Sequence, residues 1–174
     1  TCSECRKAFN STSGNVDSTS FLTSAPAGAP PVPTPPAGPT ITSAVAAVFQ
    51  VTTNADISDG DTSSITNLLA SQGADNAISL REAILAANNT AGADTINFAI
   101  GTGAQTIQLA SVLPSLTGAT TIDGTTQPGF TSTPLITIDA NLLSGTILDA
   151  SPSGSAVTLK AFKITNYAST AVAL

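Results

Sequence analysis

The chain has 174 residues, of which 41 % are hydrophobic but only 9 % charged and 4 % aromatic, and its formal net charge is −6. Soluble monomers usually carry about a quarter of their residues as charges, so this surface must be built mainly from Ser, Thr, Asn and Ala. That suits a repetitive β protein or an assembly subunit and fits an ordinary cytosolic enzyme poorly. The basic side chains Arg6, Lys7, Arg81, Lys160 and Lys163 are too few to line a phosphate-binding groove, which excludes nucleic acid as a partner, and no apolar run approaches the roughly 18 residues of a membrane span.

In chain order, residues 1–24 are polar without a sustained period, and residues 25–39 (APAGAPPVPTPPAGP) form an extended Pro/Gly/Ala linker that cannot enter a sheet ladder. Residues 1–40 are therefore set apart as a Ser/Thr/Pro-rich tail. Such composition cannot bury itself, so an ordered tail requires the domain surface or a neighbouring subunit to hold it. Cys2 and Cys5 form a CxxC inside it. As a zinc site this is half a set, and for haem attachment Arg6 stands where His is needed. A disulfide, local or between subunits, is the preferred reading. Histidine is absent, which removes the commonest general base and metal ligand together. The first residue is not Met and no leader is recognisable, which reads as a processed or excised piece. Composition points to export.

Residues 41–98 read as an N-terminal cap. The run ITSAVAAVFQVTT (41–53) ends as a strand with Val45, Val48, Phe49 and Val51 apolar, and an acidic turn, NADISDGD (54–61), follows. Asp56, Asp59 and Asp61 there, with the Asn54 side chain, could gather around calcium, a hard ion that takes carboxylate and carbonyl oxygens, although the spacing is not that of an EF-hand loop. The competing reading is an Asp/Gly turn whose side chains satisfy their own backbone. Ile65, Leu68 and Leu69 suggest a short amphipathic turn. Ser79 and Glu82, three residues apart, then spell a capping box. Leu80, Ala83, Ile84 and Ala87 make one apolar helical stripe, and the period changes from 3.6 to 2 at Ile96 and Phe98. This helix is expected to act as a lid.

Residues 99–174 read as short strands at 106–109, 120–123, 135–139, 146–149, 156–165 and 170–174, after a first one at 95–100, separated by Gly, Pro, Asn and Ser. Three of them end in similar words, TTID, ITID and TILD. Recurrent strands of this length with tight corners predict a mainly β fold, a parallel β-helix (β-solenoid) with the helix as its cap. An antiparallel jelly roll competes. The last run breaks off at Leu174, which predicts either a fragment or an end covered by another subunit.

The words SLREAILAAN (79–88), GADTINF (92–98) and TTIDGTTQPGF (120–130) resemble, in the same order, the bacterial surface proteins known by their CSLREA-type motif. The likeness runs from about Phe49 to Tyr167 and leaves out residues 1–40. Ile78 stands where the name-giving cysteine of that family would be, so a packing role remains and a disulfide does not. The resemblance implies an exported right-handed parallel β-helix, often part of a larger cell-surface chain, and it implies no catalytic activity.

The function expected from these readings is a non-enzymatic extracellular structural protein. It would be a filament or fibre subunit, associating with itself into a homopolymer or with other surface proteins. An adhesin or glycan-binding role is the first alternative, although the single tyrosine, Tyr167, and the absence of tryptophan leave few stacking platforms for sugars. A polysaccharide-acting enzyme is the second. Its candidates would be Asp123, Asp139 and Asp149 with Lys160 and Lys163, but aspartates at strand ends are ordinary turn residues. Arg81 is expected to anchor a loop. An isopeptide through Lys160 or Lys163 would need an acid that the sequence does not place. Asn10 and Asn88 head formal N-glycosylation sequons, and the tail could carry O-glycans.

Overall fold

A computed structural model describes residues 46–151, 154 and 156–174. The tail, Cys2, Cys5 and Asn10 lie outside the described residues. In order, the elements are β1 (Val48–Val51), α1 (Ile65–Ala70), α2 (Leu80–Asn88), β2 (Asp94–Phe98), β3 (Gln105–Gln108), β4 (Thr120–Asp123), β5 (Ile136–Asp139), β6 (Thr146–Asp149), β7 (Val157–Lys160), β8 (Phe162–Thr165) and β9 (Thr170–Ala173). Among the described residues, no helix is long and apolar enough to cross a membrane.

The strands divide among three small sheets with orders β1-β2-β4-β7, β3-β5-β8 and β6-β9, and every pairing is parallel. The expected mainly β, right-handed parallel β-helix is corrected by this topology. The described residues form a small α/β fold of separate parallel sheets with two helices, and no sheet among them is closed or continuous as a solenoid. Two physical causes are visible. The residues between β1 and β2, read from the sequence as an acidic turn, a short amphipathic turn and a helix, fold as two helices and irregular chain and add no strand. Further on, corner residues with left-handed backbone, among them Asn141 (φ 51°), Leu142 (φ 60°), Ala161 (φ 52°) and Asn166 (φ 53°), turn the chain off each sheet after four or five residues. Parallel neighbours cannot be joined by a tight hairpin: β1 and β2, which pair, are joined through the two helices, and from β2 onward each successive strand goes to a different sheet.

Registers put like on like. Phe49, Ile96, Ile122 and Leu159 form one column across the first sheet, and Ile107, Ile138 and Ile164 another across the second. These columns, Leu148 of β6 and the apolar face of α2 make one core. Residues 113–116 run beside β6, with the Leu113 and Leu116 amides donating to Ile147 O and Asp149 O.

Helix α2 starts at Ser79, whose hydroxyl accepts from the Glu82 amide while the Glu82 carboxylate accepts from the Ser79 amide. It buries Leu80, Ala83, Ile84, Ala86 and Ala87, and it packs on β1, β2 and α1. Helix α1, where a single amphipathic turn was expected, starts at Ser64, whose side chain accepts from the Asn67 amide. Thr90 ties the helices together, accepting from the Ile65 amide and donating to Ala86 O. Ile78 is buried, and its amide and carbonyl bond to Thr52.

Candidate functional site

The acidic turn does not gather its carboxylates. Asp56 makes a two-pronged pair with Arg81, Nε to Oδ1 at 2.9 Å and Nη2 to Oδ2 at 2.8 Å, and it also accepts from the Ala110 amide. The rest of the Arg81 fork donates to Ser111 O and Val112 O, so this side chain fastens the turn, α2 and the 110–112 loop together. Asp59 accepts from the Ala74 amide at 2.7 Å. It packs so closely on Gly73 that a Cβ there would stand 2.1 Å from its Oδ1, and Gly73 has φ +85°. Asp61 accepts from the Ser63 amide and hydroxyl, which hold its carboxyl below the ordinary aspartate range. Among the described residues, no three His, Cys, Asp or Glu side chains form a cluster suited to a metal ion.

Glu82 does more than close its helix. Oε1 accepts from the Asp59 and Gly60 amides at 2.9 and 2.7 Å, and Oε2 accepts from the Ser79 amide at 2.9 Å, in a residue 1 % exposed. The helix start thereby organises the acidic turn, a link between residues more than 20 positions apart that the sequence does not announce. At the other end of α2, Asn88 donates from Nδ2 to Ser115 O and accepts at Oδ1 from the Thr117 amide. Its side-chain nitrogen is thus used as a clamp on the 115–117 segment.

The strand-end aspartates each close a turn. Asp123 accepts from the Thr125 amide and hydroxyl, Asp149 from the Ser151 amide and hydroxyl, and Asp139 from the Asn141 amide and the Asn166 side chain. Burial pushes the Asp123 carboxyl up, but the Thr125 hydrogen bonds and Lys160 outweigh it and leave it below its ordinary value. The Ser151 bonds likewise hold Asp149 down. The structure puts these three carboxylates to work on backbone, at corners of different sheets. Lys160 reaches Asp123 at 3.2 Å with its own side chain 49 % exposed, while Lys163 is exposed on β8.

What the structure adds is an open edge. Strands β7, β8 and β9 are the last members of the three sheets. Their residues are exposed or half-buried throughout, whereas β4, β5 and β6 each have two residues buried. Between them lies a cleft of about 290 Å³ lined by Leu159, Lys160, Phe162, Ile164, Tyr167 and Val172, among others. A second cleft of about 360 Å³ sits beside β1, between the exposed Val48 and Leu69. Chain reading had noted Tyr167 only as a scarce aromatic and had missed Phe162 altogether. The signal was available in the alternation of residues 157–164.

Sequence reading also missed Gln127 and Asp94. Gln127 is 1 % exposed and clamps the 100–103 corner, accepting from the Ile100 amide and donating to Ile100 O and Gly103 O. Asp94 is buried at the start of β2, where desolvation raises its carboxyl above the ordinary range against a hydrogen bond from the Ala47 amide.

No family model, curated protein or solved structure matches this chain.

Proposed function

We propose that the protein is a non-enzymatic extracellular structural protein, a subunit of a surface assembly joined through the edges of its parallel sheets. The observation that carries this reading is the shared edge of β7, β8 and β9, where three sheets finish on strands with apolar side chains still in partial contact with solvent. Edge strands of this kind present unpaired N–H and C=O groups and act as templates for another chain. The turn-closing roles of Asp123, Asp139 and Asp149 favour a structural over a hydrolytic part for these residues. The low charge content and the CSLREA-like words support an exported, surface location.

Sedimentation of the native protein over a wide concentration range, together with negative-stain electron microscopy with and without reductant, tests the reading. Filaments or defined oligomers are expected, and their loss on reduction would assign Cys2 and Cys5 to the joints. Isolated monomers at every concentration would overturn the assembly reading.

A further inference from the structure

Residues 110–117 pair with a sheet without forming a regular strand of it. The Leu113 and Leu116 amides donate to Ile147 O at 3.1 Å and to Asp149 O at 2.7 Å, on the edge of β6 opposite the one that β9 takes. Among the described residues this segment therefore closes the third sheet, and the outermost chain of a sheet offers its N–H and C=O groups to any strand that approaches. Here those groups are held by side chains from the helical end. Arg81 donates from Nη2 to Ser111 O at 2.8 Å and from Nη1 to Val112 O at 2.9 Å, and Asp56 accepts from the Ala110 amide at 2.8 Å. Asn88 donates to Ser115 O at 2.8 Å while accepting from the Thr117 amide at 2.9 Å. Pro114, between the two contacts to β6, has no amide hydrogen to offer.

Burial does not require this arrangement. Leu113 and Leu116 are buried, but Ala110, Ser111, Val112 and Thr117 are exposed, so water could satisfy their backbone groups. A fixed partner differs from water in one respect. An approaching strand displaces water readily, but to reach Ser111 O or Val112 O it must first pull away Arg81, which is held by its two-pronged pair with Asp56. The Asp56 side chain is only 4 % exposed, so the anchor of that pair is set in the fold. Asn88 does the same at the other end of α2, through an amide that donates and accepts at once.

We propose that Asp56, Arg81 and Asn88 form a seal that withholds residues 110–117 from pairing with another polypeptide strand, so that this side of the third sheet is closed by side chains in place of a further strand. Natural sheets protect their edges with proline and with a covering helix, and Pro114 and α2 supply both beside the side-chain plugs. The seal acts inside the chain, between α2 and β6, and does not depend on the β7–β9 edge that the assembly reading uses.

The test compares the full native chain with the Arg81→Ala/Asn88→Ala double variant, by sedimentation velocity over a range of concentrations and by hydrogen exchange of the same samples. At equal concentration the variant is expected to form larger species than the native protein. Its residues 110–117 should lose protection when dilute and regain it on association. Ile122→Ala, a core change away from the segment, is the control for simple destabilisation and should bring no new protection to 110–117. Where circular dichroism shows that the double variant does not fold, Asn88→Asp carries the test. Its carboxylate still accepts from the Thr117 amide but cannot donate to Ser115 O, and a smaller shift in the same direction is expected. A folded variant that sediments like the native protein, association without new protection at 110–117, or the same protection in Ile122→Ala overturns the proposal. The native chain is the baseline, so the two readings fail separately. A native protein that stays monomeric sinks the assembly reading and leaves this comparison intact, and an assembling native protein whose variants gain nothing at 110–117 sinks the seal alone.

Discussion

At the α2 end of the sheets Leu80, Ala83, Ile84, Ala86 and Ala87 are nearly inaccessible, and the polar groups beside them are engaged. At the β7–β9 end the same columns finish on Leu159, Phe162 and Ile164, which keep part of their surface in solvent. Ile122 and Leu159 are neighbours in one column with the same inward orientation, yet the first is 1 % exposed and the second only half-buried. The difference does not come from the strands' own sequences, which alternate alike. It comes from what lies beyond them: a helix with its polar knot on one side, and no further strand among the described residues on the other. Burial here is conferred by neighbours, and stability should fall from the helical end toward the open edge.

The largest expected break of this gradient is Glu82→Ala. It removes the acceptor of the buried Ser79 amide and of the part-buried Asp59 and Gly60 amides and should cost about 3 kcal/mol, read as a lowered urea midpoint. Next comes a matched pair within one column. Ile122→Ala should cost about 3 kcal/mol through its transfer and cavity contributions, and Leu159→Ala about 1 kcal/mol because its site is already open. Equal losses in chemical unfolding would show that the edge is as well packed as the middle. Arg81→Lys follows at about 1–2 kcal/mol, since an ammonium cannot reproduce the planar fork that spans Asp56, Ser111 and Val112.

The smallest effects concern pH and oppose each other. The raised carboxyl of buried Asp94 makes the folded state hold its proton more tightly than the unfolded chain. Its contribution is therefore present below the ordinary aspartate pKa and lost as pH rises through the folded value. Asp123 is depressed, so its contribution is present at neutral pH and lost as pH falls through its folded value. In melting curves from about pH 7 to about pH 2, Asp94→Asn should remove a gain on acidification, and Asp123→Asn should remove a loss. The same sign of change in both variants would contradict these assignments.

Local pattern made much of the secondary structure legible. The words TTID and TILD coincide with β4 and β6, each a β-prone run set off by glycine (Gly118 and Gly124, Gly145), although only TTID alternates, Ile147 and Leu148 of TILD both being buried. The capping box at Ser79 and Glu82 could be read from spacing alone. Residues 156–165 read as one run, but the structure breaks them at Ala161, whose left-handed backbone has no sequence signature. The break follows from a distant approach: a Cβ on Gly124 would stand 2.3 Å from Ala161 O, so the glycine lets the two corners touch. Fold class was misread for a related reason. Alternation tells where strands lie, but not which of them share a sheet or where helices interrupt them. The acidic turn shows the same limit. Asp56, Asp59 and Asp61 look like one cluster in sequence, and Arg81, Ala74 and Ser63 draw them to separate tasks.

Native-state hydrogen exchange, followed residue by residue at low protein concentration, addresses the contrast between the two ends most directly. The account predicts that amides of α2, β2 and β4 exchange only with global unfolding, while those of β7, β8 and β9 exchange by local opening and orders of magnitude faster. Protection that is uniform from β2 to β9, without an added strand, would show that the edge is already closed and would contradict the account.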